Sequence, residues 1–232
     1  YHLQRTGLDR LPEGRVSCHD FGQPYDHERA VHLAVPAYLP APNAPEFAAA
    51  LAELLREVTV RTQRRTLALF TSYRLIQDVQ DRLRGAEVFV RVQAPDEPRG
   101  RVLEEFRNGP KAALLLGTDS FWEGIDLPGD ALEVLVLTKV PFPVPSDPLV
   151  RAEEERLAGE GKSAFTQYSL PKAILTLRQG FGRLLRSRSD RGAVILADGR
   201  VLQKAYGKRV LGALPCAART YRTPSLLYTE LQ

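Results

Sequence analysis

The sequence predicts an α/β protein whose parallel sheet is doubly wound, with helices on both faces. Three observations predict it. After about residue 60, short and nearly unbroken apolar runs recur; the stretches between them carry apolar residues at helical spacing; and polar, glycine-bearing segments stand directly after several of the runs. A strand that is apolar along its whole length is buried on both faces, as in a parallel sheet covered by helices. Right-handed crossovers then make the sheet doubly wound, and ligands of such sheets gather outside the carboxyl ends of the strands.

The elements follow in order. Thr66 to Phe70 is a buried strand, and Leu75, Val79 and Leu83 mark one face of a helix over 74–84. Val88 to Val90 is a second strand, followed by a helix over 99–107 with Val102, Leu103 and Phe106 on one side. Ala112 to Leu116 and Leu132 to Leu137 are the third and fourth strands. Helices are expected near 147–158 and 170–187, a fifth strand at Ala193 to Leu196, and a last helix over 201–212. Residues 1–45 differ: they are proline-rich and lack a long apolar period, so they are expected to form an incoming arm with at most one short strand at Val31 to Val35. An Ala/Leu/Glu-rich helix from about 46 to 59 then opens the domain, which is expected to span 46–232.

Composition narrows the function. The 232 residues are 44% apolar and 26% charged, which is globular. No run approaches the roughly 20 apolar residues of a membrane helix, so no membrane association is expected. Two cysteines, Cys18 and Cys216, are too few for a disulfide scaffold, which favours a reducing, cytoplasmic setting. The four histidines show no metal-ligand spacing. Methionine is absent and the chain opens on Tyr1, so it is expected to be a piece of a longer polypeptide. Residues 178–222 hold eleven Lys/Arg against two Asp, a footprint that suits phosphate as well as a solvated face.

Three segments can carry chemistry. Thr71, Ser72 and Tyr73 follow the first buried strand, where hydroxyls and free N–H groups can hold a phosphate; either hydroxyl could equally cap the next helix. Gly117 to Gly129 follows the third strand and concentrates Thr118, Asp119, Ser120, Glu123, Gly124, Asp126 and the single tryptophan, Trp122. Gly117 and Gly124 permit close backbone approach, and Asp126 can accept from a ribose hydroxyl or orient a cation. In the third segment, Gln179, Arg183 and Arg186 share one face of the expected helix. Gly180 and Gly182 would each cost about 1 kcal/mol inside it, which implies that something approaches the backbone closely. Gly161-Lys162-Ser163 imitates the end of a P-loop but lacks the glycine five positions earlier and the preceding apolar strand. Asp96-Glu97 imitates an acidic box but sits in a polar turn.

These residues carry a resemblance. Leu69-Phe70-Thr71-Ser72-Tyr73 resembles motif IV of the DinG/XPD-like superfamily 2 DNA helicases. Gly117 to Gly129 resembles their motif V, and Gln179 to Arg186 their motif VI. The run from Lys139 to Pro148 is similar to the segment after motif V in bacterial members, and Pro24-Tyr25-Asp26 to the segment joining the two motor domains. The resemblance implies a RecA-like fold and only the second of two motor domains. It implies Arg186 as an arginine finger with Arg183 beside it, Gln179, Gly124 and Asp126 as nucleotide contacts, and Thr71, Ser72, Tyr73, Thr118 and Ser120 as contacts to single-stranded DNA. Trp122 would stack on a base or wedge its loop against the sheet, the second being favoured. ATP and Mg2+ would be held mainly by the first RecA-like domain of the same polypeptide, and no iron–sulfur cluster is expected in this chain. The fragment alone would then be inactive, the whole translocating 5′ to 3′ in DNA repair. A non-catalytic nucleic-acid-binding or regulatory RecA-like module is the alternative, and a self-sufficient nucleotide kinase a more distant one.

Overall fold

The computed structural model describes residues 6–12, 14–19, 25–94, 97–122, 127, 129–185, 187 and 189–232, without the side chains of Asp119 and Ser120. Its centre is a seven-stranded sheet in which every adjacent pair is parallel. The strands are β1 (Val31–Pro36), β2 (Thr66–Leu69), β3 (Phe89–Val92), β4 (Ala113–Gly117), β5 (Val134–Leu137), β6 (Gly192–Leu196) and β7 (Ala218–Tyr221), in the spatial order β3-β4-β2-β5-β6-β1-β7. The helices are α1 (His27–Ala30), α2 (Phe47–Thr62), α3 (Tyr73–Leu83), α4 (Arg99–Asn108), α5 (Asp119–Trp122), α6 (Pro148–Gly159), α7 (Leu170–Phe181), α8 (Arg200–Gln203), α9 (Gly207–Gly212) and α10 (Pro224–Leu231).

Burial explains the order. β2, β4 and β5 are buried at every position, as strands covered on both faces must be. Leu51, Leu54, Leu55 and Val58 of α2 and Leu75, Ile76, Val79 and Leu83 of α3 bring helical stripes into a core shared with sheet residues such as Ala68, Leu114 and Val136. Ser72 caps α3, its hydroxyl accepting from the Leu75 N–H at 3.4 Å, and α2 ends on Gln63 in the left-handed region at φ 53°.

The structure differs from the sequence expectations in five places. The Val31 strand is no outlying piece: β1 lies between β6 and β7, so the sheet reaches into the stretch expected to be an arm. The described residues of 1–24 and 142–173 form one compact unit and those of 25–141 and 174–232 another, whereas one domain was expected from 46 onward. In the first of these Asp147 caps α6, and Val150, Leu157 and Tyr168 pack together. The expected helix over 201–212 breaks into α8 and α9 at Lys204, whose backbone is extended (φ −90°, ψ 148°), and the chain folds back so closely that an added Cβ at Gly207 would fall 1.8 Å from the Val201 carbonyl oxygen. The helix expected to reach 187 stops at Phe181, and β7 and α10 have no counterpart in the sequence reading.

Candidate functional site

The register sets the site. Gly117 pairs with Leu69, Leu69 with Leu137, and Leu137 with Leu196, so four central strands finish on one line. The ladder runs one residue further: Phe70 N–H donates to the Gly117 carbonyl at 2.8 Å, Thr138 N–H to Leu69 at 3.1 Å, and Ala197 N–H to Leu137 at 2.9 Å. Segments leaving this line emerge side by side on the edge where ligands of parallel sheets bind.

Trp122 joins the three segments singled out in the sequence. It sits on the short helix α5 and is buried at 3% exposure. Its indole Nε1–H donates to the Phe70 carbonyl at 3.2 Å, tying it to the turn after β2. Its ring lies against Gly180 of α7, where an added Cβ would stand 2.8 Å from Cε3 and Cζ3. Its own carbonyl accepts from Arg183 Nε at 3.2 Å. The close approach implied by Gly180 is therefore that of Trp122, and the tryptophan wedges its loop rather than presenting a ring to solvent. Gly117 has a similar reason, since a Cβ there would lie 2.8 Å from Phe121 Cγ.

Several expectations need correction. Gln179 and Arg183 do not share a helix face: α7 ends at Phe181, and Gly182 N–H and Arg183 N–H close a turn on the Arg178 and Gly180 carbonyls. Gly182 thus lies beyond the helix, where the interior penalty does not apply, and an added Cβ would meet nothing nearer than 3.4 Å. Gln179 is half-buried on the last turn of α7, with Leu177, Phe181 and Leu184 buried around it. Thr118 is buried; its carbonyl accepts from Phe121 N–H at 2.8 Å and its N–H faces Gln93 Oε1 at 3.5 Å. The hydroxyls left towards solvent are those of half-buried Thr71 and exposed Ser72 and Tyr73. Ser72 serves as the helix cap that the sequence offered as its alternative role. Gly124, Asp126, Arg186, Pro24 and Asp96 lie outside the described residues, and of Ser120 only the backbone is described, in α5.

Gly161-Lys162-Ser163 follows the end of α6, not a strand, and Lys162 Nζ pairs with Glu160 at 2.7 Å. Among the described residues no group of three or more His, Cys, Asp or Glu could hold a metal ion, and no helix is long and apolar enough to cross a membrane.

One cluster on this edge was not foreseen. Asp198, two residues past β6, is fully buried and takes a fork from Arg200, with Nε at 2.8 Å from Oδ1 and Nη2 at 2.7 Å from Oδ2. Its Oδ2 also accepts from Val140 N–H at 3.0 Å. Next to Val140, Lys139 places its ammonium 5.5 Å from the centre of the Phe47 ring. Burial, with Arg200 nearby, holds the Lys139 amine below its ordinary range, and Asp198 opposes this. The strand-end rule applied after β6 as it was after β2 and β4 would have found Asp198.

An all-parallel sheet of this order, with three loop segments tied together at its carboxyl edge, has the RecA-like fold. Residues 55–217 match the helicase C-terminal domain family, and the chain belongs to it, as a member of the DinG/XPD-like superfamily 2 branch. The chain is 36% identical over 197 residues to the ATP-dependent DNA helicase YoaA of Escherichia coli, a match covering 85% of this chain and 31% of that protein. It is 36% identical over 224 residues to the ATP-dependent DNA helicase DinG of Photobacterium profundum, covering 93% and 32%. The chain thus spans about a third of the length of these curated relatives. A solved structure of apo XPD superposes with a TM-score of 0.66 at 18% identity, over 83% of this chain and 40% of that one, a likeness of fold.

Proposed function

We propose that the chain is the second motor domain of an ATP-dependent DNA helicase, which couples ATP hydrolysis to movement along single-stranded DNA and to duplex unwinding. The observation that carries the reading is the junction at Trp122: one side chain links the turn after β2, the loop after β4 and the turn after α7. A strand gripped at Ser72 and a nucleotide near Gln179 would then act on one rigid body.

In this reading Arg186 is the arginine finger, directed at the γ-phosphate of an ATP held on the first motor domain. Arg183 stands beside it and fixes the carbonyl of Trp122. Gln179 meets the phosphate end of the nucleotide, and Gly124 and Asp126 its ribose side. Thr71, Ser72 and Tyr73 hold strand phosphates, with Ser120 beside them and buried Thr118 shaping the loop; contacts of this kind grip DNA without reading its sequence. The first domain holds the triphosphate and Mg2+, and no iron–sulfur cluster belongs to this chain. An arginine finger is worth about 10³–10⁵ in turnover, roughly 4–7 kcal/mol of transition-state stabilisation. Because it arrives only on domain closure, hydrolysis is tied to motion. The setting is the cytoplasm, the polarity 5′ to 3′ and the process DNA repair, all by likeness to the family.

The test is ATP turnover by the isolated 232-residue chain with single-stranded DNA. The reading expects none above background, since the groups that bind the triphosphate are assigned to another domain. Robust turnover would contradict it.

A further inference from the structure

We infer that the cleft at the amino ends of β1 and β6 binds a small organic phosphate monoester, whose dianionic phosphate is held by the arginines of the cleft. The site lies at the sheet edge opposite the one that carries the helicase segments, and it rests on none of their assignments.

β1 and β6 start side by side, Val31 being paired with Gly192. At these strand starts opens a cleft of about 450 Å³, a volume within the range of small-ligand sites. Four separate stretches of chain bring arginines to it: Arg29 of α1, Arg64 before β2, Arg191 before β6 and Arg219 of β7. Glu28 and Glu230 are the carboxylates of the lining.

Both carboxylates are engaged within the protein. Glu28 Oε1 accepts from Ala217 N–H at 3.1 Å, and Glu230 Oε2 accepts from Arg219 Nη1 at 3.0 Å and from Tyr221 Oη at 2.7 Å. Arg64 and Arg191 each donate through Nη1 to a carbonyl, Leu231 at 3.2 Å and Asp190 at 2.8 Å, and a carbonyl brings no net charge. The acids outside the lining stand further off: Asp26 is 3.5 Å from Arg29 and Glu133 3.6 Å from Arg64. Charge-assisted bonds close to about 2.7–2.9 Å, so both guanidiniums can turn to a better-placed anion.

Charge and size select the ligand. Four guanidiniums against two carboxylates, with His32 neutral, leave the lining two net positive charges. A phosphate monoester carries about two negative charges near neutral pH, whereas a phosphodiester carries one and a nucleoside triphosphate more. Planar guanidiniums also meet phosphate oxygens two at a time. The cleft is larger than a bare phosphate fills, and Val31, Ala193 and Leu231 give it apolar wall for an organic remainder.

The experiment is calorimetric titration of the 232-residue chain at low salt with ribose 5-phosphate and with inorganic phosphate, for the wild type, Arg191→Gln, Arg219→Gln and Arg151→Gln. Ribose 5-phosphate should bind the wild type more tightly than phosphate does. Arg191→Gln and Arg219→Gln should each weaken it about tenfold, the effect of one charge-assisted contact. Arg151→Gln removes an exposed cation from α6 and should bind as the wild type does. His32 lines the cleft beside Arg219, Tyr221 and Glu230. Its imidazole pKa, followed by NMR, should rise with ligand bound, because a nearby anion favours the imidazolium. If Arg191→Gln fails to fold, Arg219→Gln and the His32 titration carry the same test. Wild-type affinity in both cleft variants, or no saturable binding by the wild type at millimolar ligand, would overturn the site and leave the helicase reading standing. Equal affinity for the two ligands would leave a free-phosphate site and overturn the monoester assignment. Displacement of ribose 5-phosphate by oligo(dT) without a terminal phosphate would give the cleft to a strand backbone and overturn that assignment too.

Discussion

Trp122 buries a large ring and satisfies its only polar atom at the Phe70 carbonyl, so its two contributions can be separated by substitution. Trp122→Phe keeps a ring but leaves that carbonyl unpaired, and chemical denaturation should show a loss of about 1–3 kcal/mol. Trp122→Ala, which also opens a cavity, should cost about 3–5 kcal/mol. Gly180→Ala gives a sharper outcome. Helix propensity alone would favour alanine by about 1 kcal/mol. The contact with Trp122 at 2.8 Å reverses that, and a net destabilisation of about 1–3 kcal/mol is expected. The penalty should shrink when Trp122 is replaced by leucine, a coupling that a double-mutant cycle would register. The sequence marked both residues as unusual but could not pair them, because residues 122 and 180 meet only through the crossover that brings α7 back to the sheet. The two glycines of the Gln179 segment also look alike in sequence. Only the end of α7 at Phe181 separates Gly180, which is forced by a neighbour, from Gly182, which simply follows the helix.

At the level of the element, α3 poses the question of whether Ser72 is a cap, a phosphate ligand or both. Ser72→Ala removes the bond to Leu75 N–H and should lower stability by about 1 kcal/mol. Ser72→Asp keeps an acceptor suited to the cap position, so the melting temperature should stay near that of the wild type. Its negative charge would stand where a strand phosphate is placed, and oligo(dT) affinity should fall. A Ser72→Asp chain that melts normally and binds normally would limit Ser72 to capping. The buried elements were legible in sequence because burial on both faces leaves an unbroken apolar run, as in Ala113–Gly117 and Val134–Leu137. The edge strand Ala218–Tyr221 was not, since it is exposed at its centre and carries Arg219 and Thr220 there. That edge has a pH signature. His32 of β1 has Nε2 2.6 Å from Tyr221 Oη, which donates to Glu230 at 2.7 Å. Burial first, and Arg219 second, hold the His32 pKa below 6.5, with Glu230 opposing. The unfolded chain therefore takes up this proton at higher pH than the folded one. Stability should fall as pH drops below about 6.5 and level off once the folded-state imidazole is protonated too. His32→Gln should flatten thermal stability between about pH 7.5 and 5. An unchanged slope would show that the imidazole titrates alike in both states.

Over the whole molecule, the sequence reading reached the sheet and its parallel sense, since both follow from unbroken apolar runs separated by helical stretches. It missed the division into two compact units, although the proline-rich run at 141–148 stands at the start of the second stretch. It also missed the Asp198–Arg200 fork, a pair two residues apart inside a basic block whose partner Val140 is distant in sequence. The account as a whole requires that the turn after α7 carry a cation to a nucleotide bound elsewhere. The most direct measurement is single-strand-stimulated ATP turnover by a polypeptide that joins this domain to a first motor domain, with and without Arg186→Ala, alongside oligo(dT) affinity. Turnover should fall by about 10³-fold or more while affinity stays within about twofold. Turnover that survives the substitution would contradict the assignment of Arg186 and the coupling built on it.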